Sequence, residues 1–350
     1  AGNLLWTRQL GTETADTSFA IAGDYIYITG SSAGSFAAPN TGGPDIYVAK
    51  YDTDGNLLET TQIGTDGLDR SYDITTDEAG NVYISGYTVG NLGGINNNSE
   101  RFLATTDSYV AKFDSDLKLQ WITQFGTTKY DDTYGIAIDN GGNLFTTGWT
   151  QGDLYGTNAG LYDVTLAKVD NLGNLLWTRQ FGTSGYDFAW DVATDSFGNV
   201  YTTGYTTGDL AEANAGFYDV FLAKYDTDGN QQWIQQIGTS GSDNAFGIDI
   251  DSNNTIYLTG FTTGDLGGVN AGGDSAGADD AFWAAFDMDG NMLEVQQFGT
   301  SGVDRAFGID VQIPGQVYLA GFTDGSLGQA NAGSFDAWIS VESPSVLEYC

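Results

Sequence analysis

Three stretches of the sequence carry the same oxygen-bearing side chains in the same order: Asp153/Asn158/Asp163, Asp209/Asn214/Asp219 and, over a longer interval, Asp265/Asn270/Asp280. The first two fit Gly-Asp-Leu-x-x-x-Asn-Ala-Gly-x-x-Asp, and the third is a lengthened copy. Carboxylates, side-chain amides and carbonyls from flexible glycine-rich backbone are the ligands calcium prefers, about six to eight per ion. These nine residues are therefore candidate metal ligands, and calcium is the expected cofactor. The same residue types also cap turns through their own backbone, which is the structural alternative. A second acidic set lies five residues after each Gly-Thr start: Asp16, Asp69, Asp131, Asp187, Asp243 and Asp304. It persists where the loop Asp becomes Ser35, Asn91 or Ser326, which points to a structural role. Asp52-Thr-Asp54-Gly-Asn56, Asp226-Thr-Asp228-Gly-Asn230 and Asp287-Met-Asp289-Gly-Asn291 resemble the front of an EF-hand loop. Ile63, Ile237 and Phe298 stand where its final Glu belongs, so these read as hairpin turns.

Other chemistries find few residues. The chain has no histidine, which removes the commonest general base and transition-metal ligand. The lone Cys350 makes neither an internal disulfide nor a zinc cluster. The formal charge of −35, from 46 acids against 11 bases, disfavours nucleic acid and anionic membrane surfaces. No apolar run approaches the roughly 18 residues of a membrane span, so no membrane insertion is expected. Lys50, Lys112, Lys168 and Lys224 recur as Ala-Lys, and in so acidic a chain each is expected to pair with a carboxylate. Arg70 and Arg305 both follow the Gly-Thr Asp.

The elements that position these residues form a repeat. Gly-Thr recurs at Gly11, Gly64, Gly126, Gly182, Gly238 and Gly299, at spacings of 53, 62, 56, 56 and 61 residues. A period of this size decides the architecture before any local reading. Each repeat offers four short alternating runs, in the fourth copy Phe188–Thr194, Val200–Tyr205, Val220–Tyr225 and Gln231–Ile237. Aromatic and β-branched content and flanking Gly, Asn and Asp make them antiparallel strands. The chain opens on residues 2–10, a fourth strand without its first three, and ends on a repeat lacking its fourth. Residues 2–10 are thus expected to complete the last blade, closing a six-bladed β-propeller as a single domain over residues 1–350. The recurrent Trp6, Trp121, Trp177 and Trp233 of the fourth run are expected to wedge between blades.

The runs GTSGxD, GNVYxTGYT, DxFLAKYD and GNxxW resemble the β-propeller repeat family called SBBP, common in bacterial secreted and surface proteins. The resemblance covers nearly the whole chain and implies a propeller scaffold. The family is usually seven-bladed, whereas six repeats are counted here, and residues 93–106, with Arg101, depart from the repeat.

Two functions are carried forward. The first is a non-catalytic, calcium-stabilised binding, adhesion or structural module, extracellular or at the cell surface once a signal peptide is removed. A carbohydrate or protein ligand on its loops or central channel and a monomeric state are expected. The second is a calcium-dependent, glycosidase-like hydrolase using paired carboxylates of the loop face. Sialidase chemistry lacks its Asp-box spacing and arginine cluster, and phytase chemistry lacks basic residues around a phosphate. Quinone-cofactor propellers share a Gly-to-Trp pattern with the fourth run, but nothing marks a cofactor pocket.

Overall fold

A computed structural model of the chain describes residues 5–23, 25–93, 105–268, 278–312 and 315–344. Within these the chain is an all-β, six-bladed β-propeller of antiparallel sheets, and no helix is long and apolar enough to cross a membrane. Blade one is β1 (Asp16–Ala22), β2 (Ile26–Ser32), β3 (Asp45–Tyr51) and β4 (Leu57–Ile63). Blade two is β5 (Asp69–Thr76), β6 (Val82–Thr88), β7 (Asp107–Phe113) and β8 (Leu119–Phe125). Blade three is β9 (Asp131–Ile138), β10 (Leu144–Thr150), β11 (Asp163–Val169) and β12 (Leu175–Phe181). Blade four is β13 (Asp187–Thr194), β14 (Val200–Thr206), β15 (Asp219–Tyr225) and β16 (Gln231–Ile237). Blade five is β17 (Asp243–Ile250), β18 (Ile256–Thr262), β19 (Asp280–Phe286) and β20 (Met292–Phe298). Blade six has three strands, β21 (Asp304–Asp310), β22 (Val317–Thr323) and β23 (Asp336–Glu342). Contacts divide the chain into two compact units, residues 1–158 with 165–180 and residues 159–164 with 181–350.

The fourth strand expected from residues 2–10 does not form: residues 5–10 carry no strand, and residues 2–4 lie outside the described residues. Side-chain anchors replace the ladder. Trp6 Nε1 donates to Thr53 O at 2.8 Å and Arg8 Nε to Gly55 O at 2.6 Å, both in the turn between β3 and β4. Leu5 is left 86% exposed. Trp6 thereby stands to blade one as Trp121, whose Nε1 reaches Asn171 O at 3.2 Å, stands to blade three.

Within each unit the blades are joined by their first strands. Every first strand has a β-bulge, and in all six the extra residue is the recurrent aromatic: Phe19, Tyr72, Tyr134, Trp190, Phe246 and Phe307. A bulge frees a side chain from the ladder and re-aims it. Here the freed rings meet their neighbours, Tyr72 against Tyr134 at 4.5 Å in one unit and Phe246 against Phe307 at 4.5 Å in the other. One residue further, Asp73 Oδ2 accepts from Ile136 N at 2.8 Å and Asp191 Oδ2 from Ile248 N at 3.0 Å, each across to a neighbouring first strand. The blades bury aliphatic and aromatic cores between them, among them Ile46, Val48, Ile84 and Phe113 in the first unit and Leu222, Leu258, Phe282 and Phe286 in the second.

Lys50, Lys112 and Lys224 find carbonyls and rings instead of the expected carboxylates. Lys50 Nζ donates to Ser115 O at 2.8 Å and Lys224 Nζ to Met288 O at 2.9 Å, both in the third-to-fourth-strand turn of a neighbouring blade. Lys224 also lies over the Tyr201 ring and Lys112 over Tyr83. The turn carbonyls accept the ammonium, and the ring beneath it adds a cation–π contact.

The bulge also explains the glycine of every second strand. A Cβ on Gly204 would stand 1.8 Å from the Phe188 carbonyl oxygen, and the same position in the other blades meets the same obstacle. Gly204→Ala is expected to lower stability by about 1–3 kcal/mol, the scale of overpacking. Gly333→Ala, with nothing within 4 Å of its would-be Cβ, is expected to stay within about 0.5 kcal/mol. Chemical denaturation of the two variants checks this, and equal losses would remove the steric account.

Candidate functional site

The loops between second and third strands hold the residues expected to bind calcium. In blade three Asp153 Oδ1 accepts from Asn158 N at 2.8 Å, Asn158 Nδ2 donates to Thr150 O at 3.2 Å, and Asp163 accepts from Ala159 N at 3.0 Å. In blade four Asp209 Oδ1 accepts from Asn214 N at 2.9 Å. Asp219 Oδ2 accepts from Ala215 N and Gln236 Nε2, each at 2.9 Å. In blade five Gln297 Nε2 donates to Asp280 Oδ2 at 3.1 Å, Asp265 is exposed, and Asn270 lies outside the described residues. Arg101 and Cys350 also lie outside them.

The geometry of the loops in blades three and four is therefore that of self-capped turns. Blades one and six build the same turn with a hydroxyl: Asn40 N donates to Ser35 Oγ at 3.0 Å and Asn331 N to Ser326 Oγ at 3.2 Å. Among the described residues no group of three or more acid, His or Cys side chains is arranged to hold a metal ion. The EF-hand-like turns cap themselves too, Asp226 Oδ1 accepting from Asn230 N at 2.8 Å.

The Asp of the Gly-Thr motif is a latch in blades one to five. Asp187 Oδ2 accepts from Thr183 N at 2.6 Å and Thr183 Oγ1 at 3.0 Å, while Oδ1 takes the Thr206 hydroxyl from the end of β14. Asp69, Asp131 and Asp243 repeat the arrangement. Burial raises the carboxyls of Asp69, Asp187 and Asp243 above their ordinary value and pushes Asp131 up to about 6. Their oxygens are engaged by the scaffold, which leaves little for a general acid or base.

The latch also sets one blade against the next. The N–H of Asp69 donates to Pro44 O at 2.8 Å, Asp131 to Thr106 O at 3.0 Å, Asp187 to Tyr162 O at 3.1 Å, Asp243 to Tyr218 O at 2.8 Å and Asp304 to Asp279 O at 2.7 Å. Each bond seats the residue ahead of one third strand beside the residue that follows the next latch Asp. The resulting junction pairs are Pro44 with Arg70, Thr106 with Asp132, Tyr162 with Phe188, Tyr218 with Asn244, and Asp279 with Arg305. Unlike the latch, these positions change from blade to blade. The Thr106 hydroxyl donates to Asp132, the Tyr162 and Phe188 rings lie 4.9 Å apart, and Arg305 Nε pairs with Asp279 Oδ2 at 2.5 Å.

Two of these neighbourhoods stand out. In the second unit, Tyr162 stacks on Tyr186 at 5.1 Å, Phe188 on Tyr205 at 5.0 Å and on Trp190 at 5.9 Å, and Tyr205 meets Tyr218 at 4.8 Å. Tyr186 and Tyr218 remain exposed at its edge, and Phe217 beside them is 75% exposed. In the first unit, Arg70 stands close to Tyr72, Tyr87 and Tyr134. Asp132 lies on the same wall, and burial pushes its carboxyl up to about 7 against the Thr106 hydrogen bond, with Asp131 adding to the rise and Arg70 opposing it. Reading the sequence for what recurs passes over these residues. Reading the column after the latch Asp for what differs (Thr17, Arg70, Asp132, Phe188, Asn244, Arg305) finds it.

The SBBP β-propeller repeat model matches residues 60–93, 120–156, 176–211 and 232–267, each match running from a fourth strand across the junction into the next blade. The regulatory protein FlaEY of Caulobacter vibrioides is 32% identical over 197 residues, covering 53% of this chain and 20% of that protein. A WD repeat-containing protein of Acanthamoeba polyphaga mimivirus is 25% identical over 236 residues, covering 54% of this chain and 17% of that protein. The chain thus spans about a fifth of the length of these relatives. Among solved structures, an ulvan lyase, a polysaccharide lyase, superposes with a TM-score of 0.54 at 12% identity, over 96% of this chain and 84% of that one. That likeness is one of fold.

The loop geometry yields a direct test. Asp209→Ser, which installs the residue type blades one and six already use, is expected to leave thermal stability nearly unchanged. Asp209→Ala, which removes the acceptor, is expected to cost about 1 kcal/mol. Both results should be the same in calcium and in chelator; a loss seen only in calcium would make Asp209 an ion ligand.

Proposed function

We propose that this chain, which carries the β-propeller repeats of the SBBP family, is a non-catalytic binding module that holds a carbohydrate on the aromatic junctions of its blades, outside the cell or at its surface. The observation that carries this reading is the ring ladder of blade four, from Tyr162 and Tyr186 through Phe188 and Tyr205 to Tyr218. Rings that pack on one another form a stiff apolar wall, and the tyrosines add hydroxyls at its edge. Pyranose rings offer the complement, C–H faces for the rings and hydroxyls for the polar rim. Tyr162 faces Phe188 here, where Pro44, Thr106 and Asp279 face Arg70, Asp132 and Arg305 at other junctions, so the ladder belongs to this junction rather than to the repeat.

A hydrolase would need two carboxylates facing one substrate bond. Asp131, the latch carboxylate beside Asp132, already accepts from Thr127 and Thr150. That commitment favours binding over hydrolysis.

The test is a glycan array probed with the full chain, followed by calorimetric titration of the best oligosaccharide. Tyr186→Ala combined with Tyr218→Ala should weaken binding at least about tenfold, the scale of losing interface aromatics. Prolonged incubation should release no new reducing ends. Unchanged affinity in the double variant, or steady product formation, would contradict the proposal.

A further inference from the structure

We propose that Arg70 is an oxyanion-reading site, taking a carboxylate or sulfate carried by the glycan. This rests on the carbohydrate-binding reading above and names the ligand's chemical class.

Two equivalent junctions differ in what faces their arginine. Arg70 and Arg305 occupy the same repeat position, each directly after a latch Asp. Arg305 has its anion built in: Asp279, the junction residue opposite, meets Nε at 2.5 Å, and the guanidinium lies 4.2 Å from the Phe261 ring centre. Opposite Arg70 the junction residue is Pro44, which has no polar side-chain atom, and Arg70 Nε is buried without a hydrogen-bond partner. A guanidinium is a planar fork matched to two oxygens of an oxyanion, and leaving one of its donors buried and unpaired is costly. The Arg70 side chain is only partly buried, so an incoming oxyanion has access to it. Tyr72, Tyr87 and Tyr134 surround it with hydroxyls.

Electrostatics sharpens the inference. A chain of net charge −35 repels acidic glycans, so acceptance of one requires a local cation. Among the groups around Arg70, Asp132 feels its charge, Asp69 directly before it has its carboxylate held by Thr65 and Thr88, and the phenols of Tyr72, Tyr87 and Tyr134 lie close. The phenols of Tyr87 and Tyr134 are neutral across the working range, since burial raises both further above their ordinary value. Asp132 changes charge near pH 7. As pH falls through that value Asp132 takes up a proton and stops neutralising Arg70, so oxyanion binding should strengthen from pH 8 to pH 6.

The experiment probes arrays of matched neutral, carboxylated and sulfated glycans with the full chain, wild type and Arg70→Gln, at pH 6 and pH 8. Circular dichroism confirms that the variant is folded. Wild type should favour one acidic class about tenfold or more over its neutral counterpart, the scale of a charge-assisted pair. Arg70→Gln should erase that preference while keeping neutral-glycan binding, and Asp132→Asn should make the preference independent of pH. The carboxylated and sulfated arms identify which oxyanion is read. Charge-indifferent binding by wild type, or an acidic preference surviving in Arg70→Gln, would overturn the site while leaving the carbohydrate reading intact. Binding of no glycan at all would overturn both.

Discussion

Blades two to five of this protein each hang on a buried carboxylate. The latch Asp ties its own Gly-Thr link to the end of its second strand with one side chain, and its N–H grips the loop of the preceding blade. Burying a charge is expensive unless it is fully hydrogen-bonded, and three donors around Asp187 meet that demand. The raised carboxyls of Asp69, Asp187 and Asp243 mark the desolvation these sites tolerate. The glycine before each latch Thr follows from the same crowding: a Cβ on Gly182 would lie 2.6 Å from Asp163 Oδ1 and 2.9 Å from Asp187 Oδ2.

The latch divides the sequence into two kinds of position. Those that close it, namely Gly, Thr, Asp and the glycine facing the bulge, cannot change without a clash or an unpaired charge. Those it merely juxtaposes are free to change, and they do. Thr106 with Asp132, Tyr162 with Phe188 and Asp279 with Arg305 are three chemistries built on one backbone geometry. Function in such a scaffold is carried by the differences between copies. Arg70, facing Pro44 with its Nε unpartnered, is the junction whose cation has no anion directly opposite.

Much of this was legible in the sequence, and the failures have a common cause. The repeat period gave the six blades, and in the fourth repeat the expected strand limits differ by at most one residue from those of β13 to β16. Tryptophan docking between blades also holds, at Trp121 and Trp233. What alternation could not show was the bulge, because inserting Trp190 breaks the period of two at one residue only. Nor could it show that Lys224 reaches a neighbouring turn carbonyl 64 residues away, or that Thr106 and Asp132, 26 residues apart, share a hydrogen bond. These contacts cross blades, and a single repeat contains half of each. In blades three and four Asp153 and Asp209 bond their own loop backbone, and composition alone does not distinguish such an acceptor from an ion's ligand.

The central claim is that constant positions hold the fold and variable junction positions hold the ligand. It is tested most directly by alanine substitution along two adjacent columns, Asp69, Asp131, Asp187 and Asp243 against Arg70, Asp132, Phe188 and Asn244, measuring thermal midpoint and glycan affinity for every variant. The account predicts that the latch column lowers the midpoint in every blade. In the junction column it predicts altered affinity at Arg70 and Phe188 with smaller losses of stability than at Asp69 and Asp187. Indistinguishable behaviour of the two columns would contradict it.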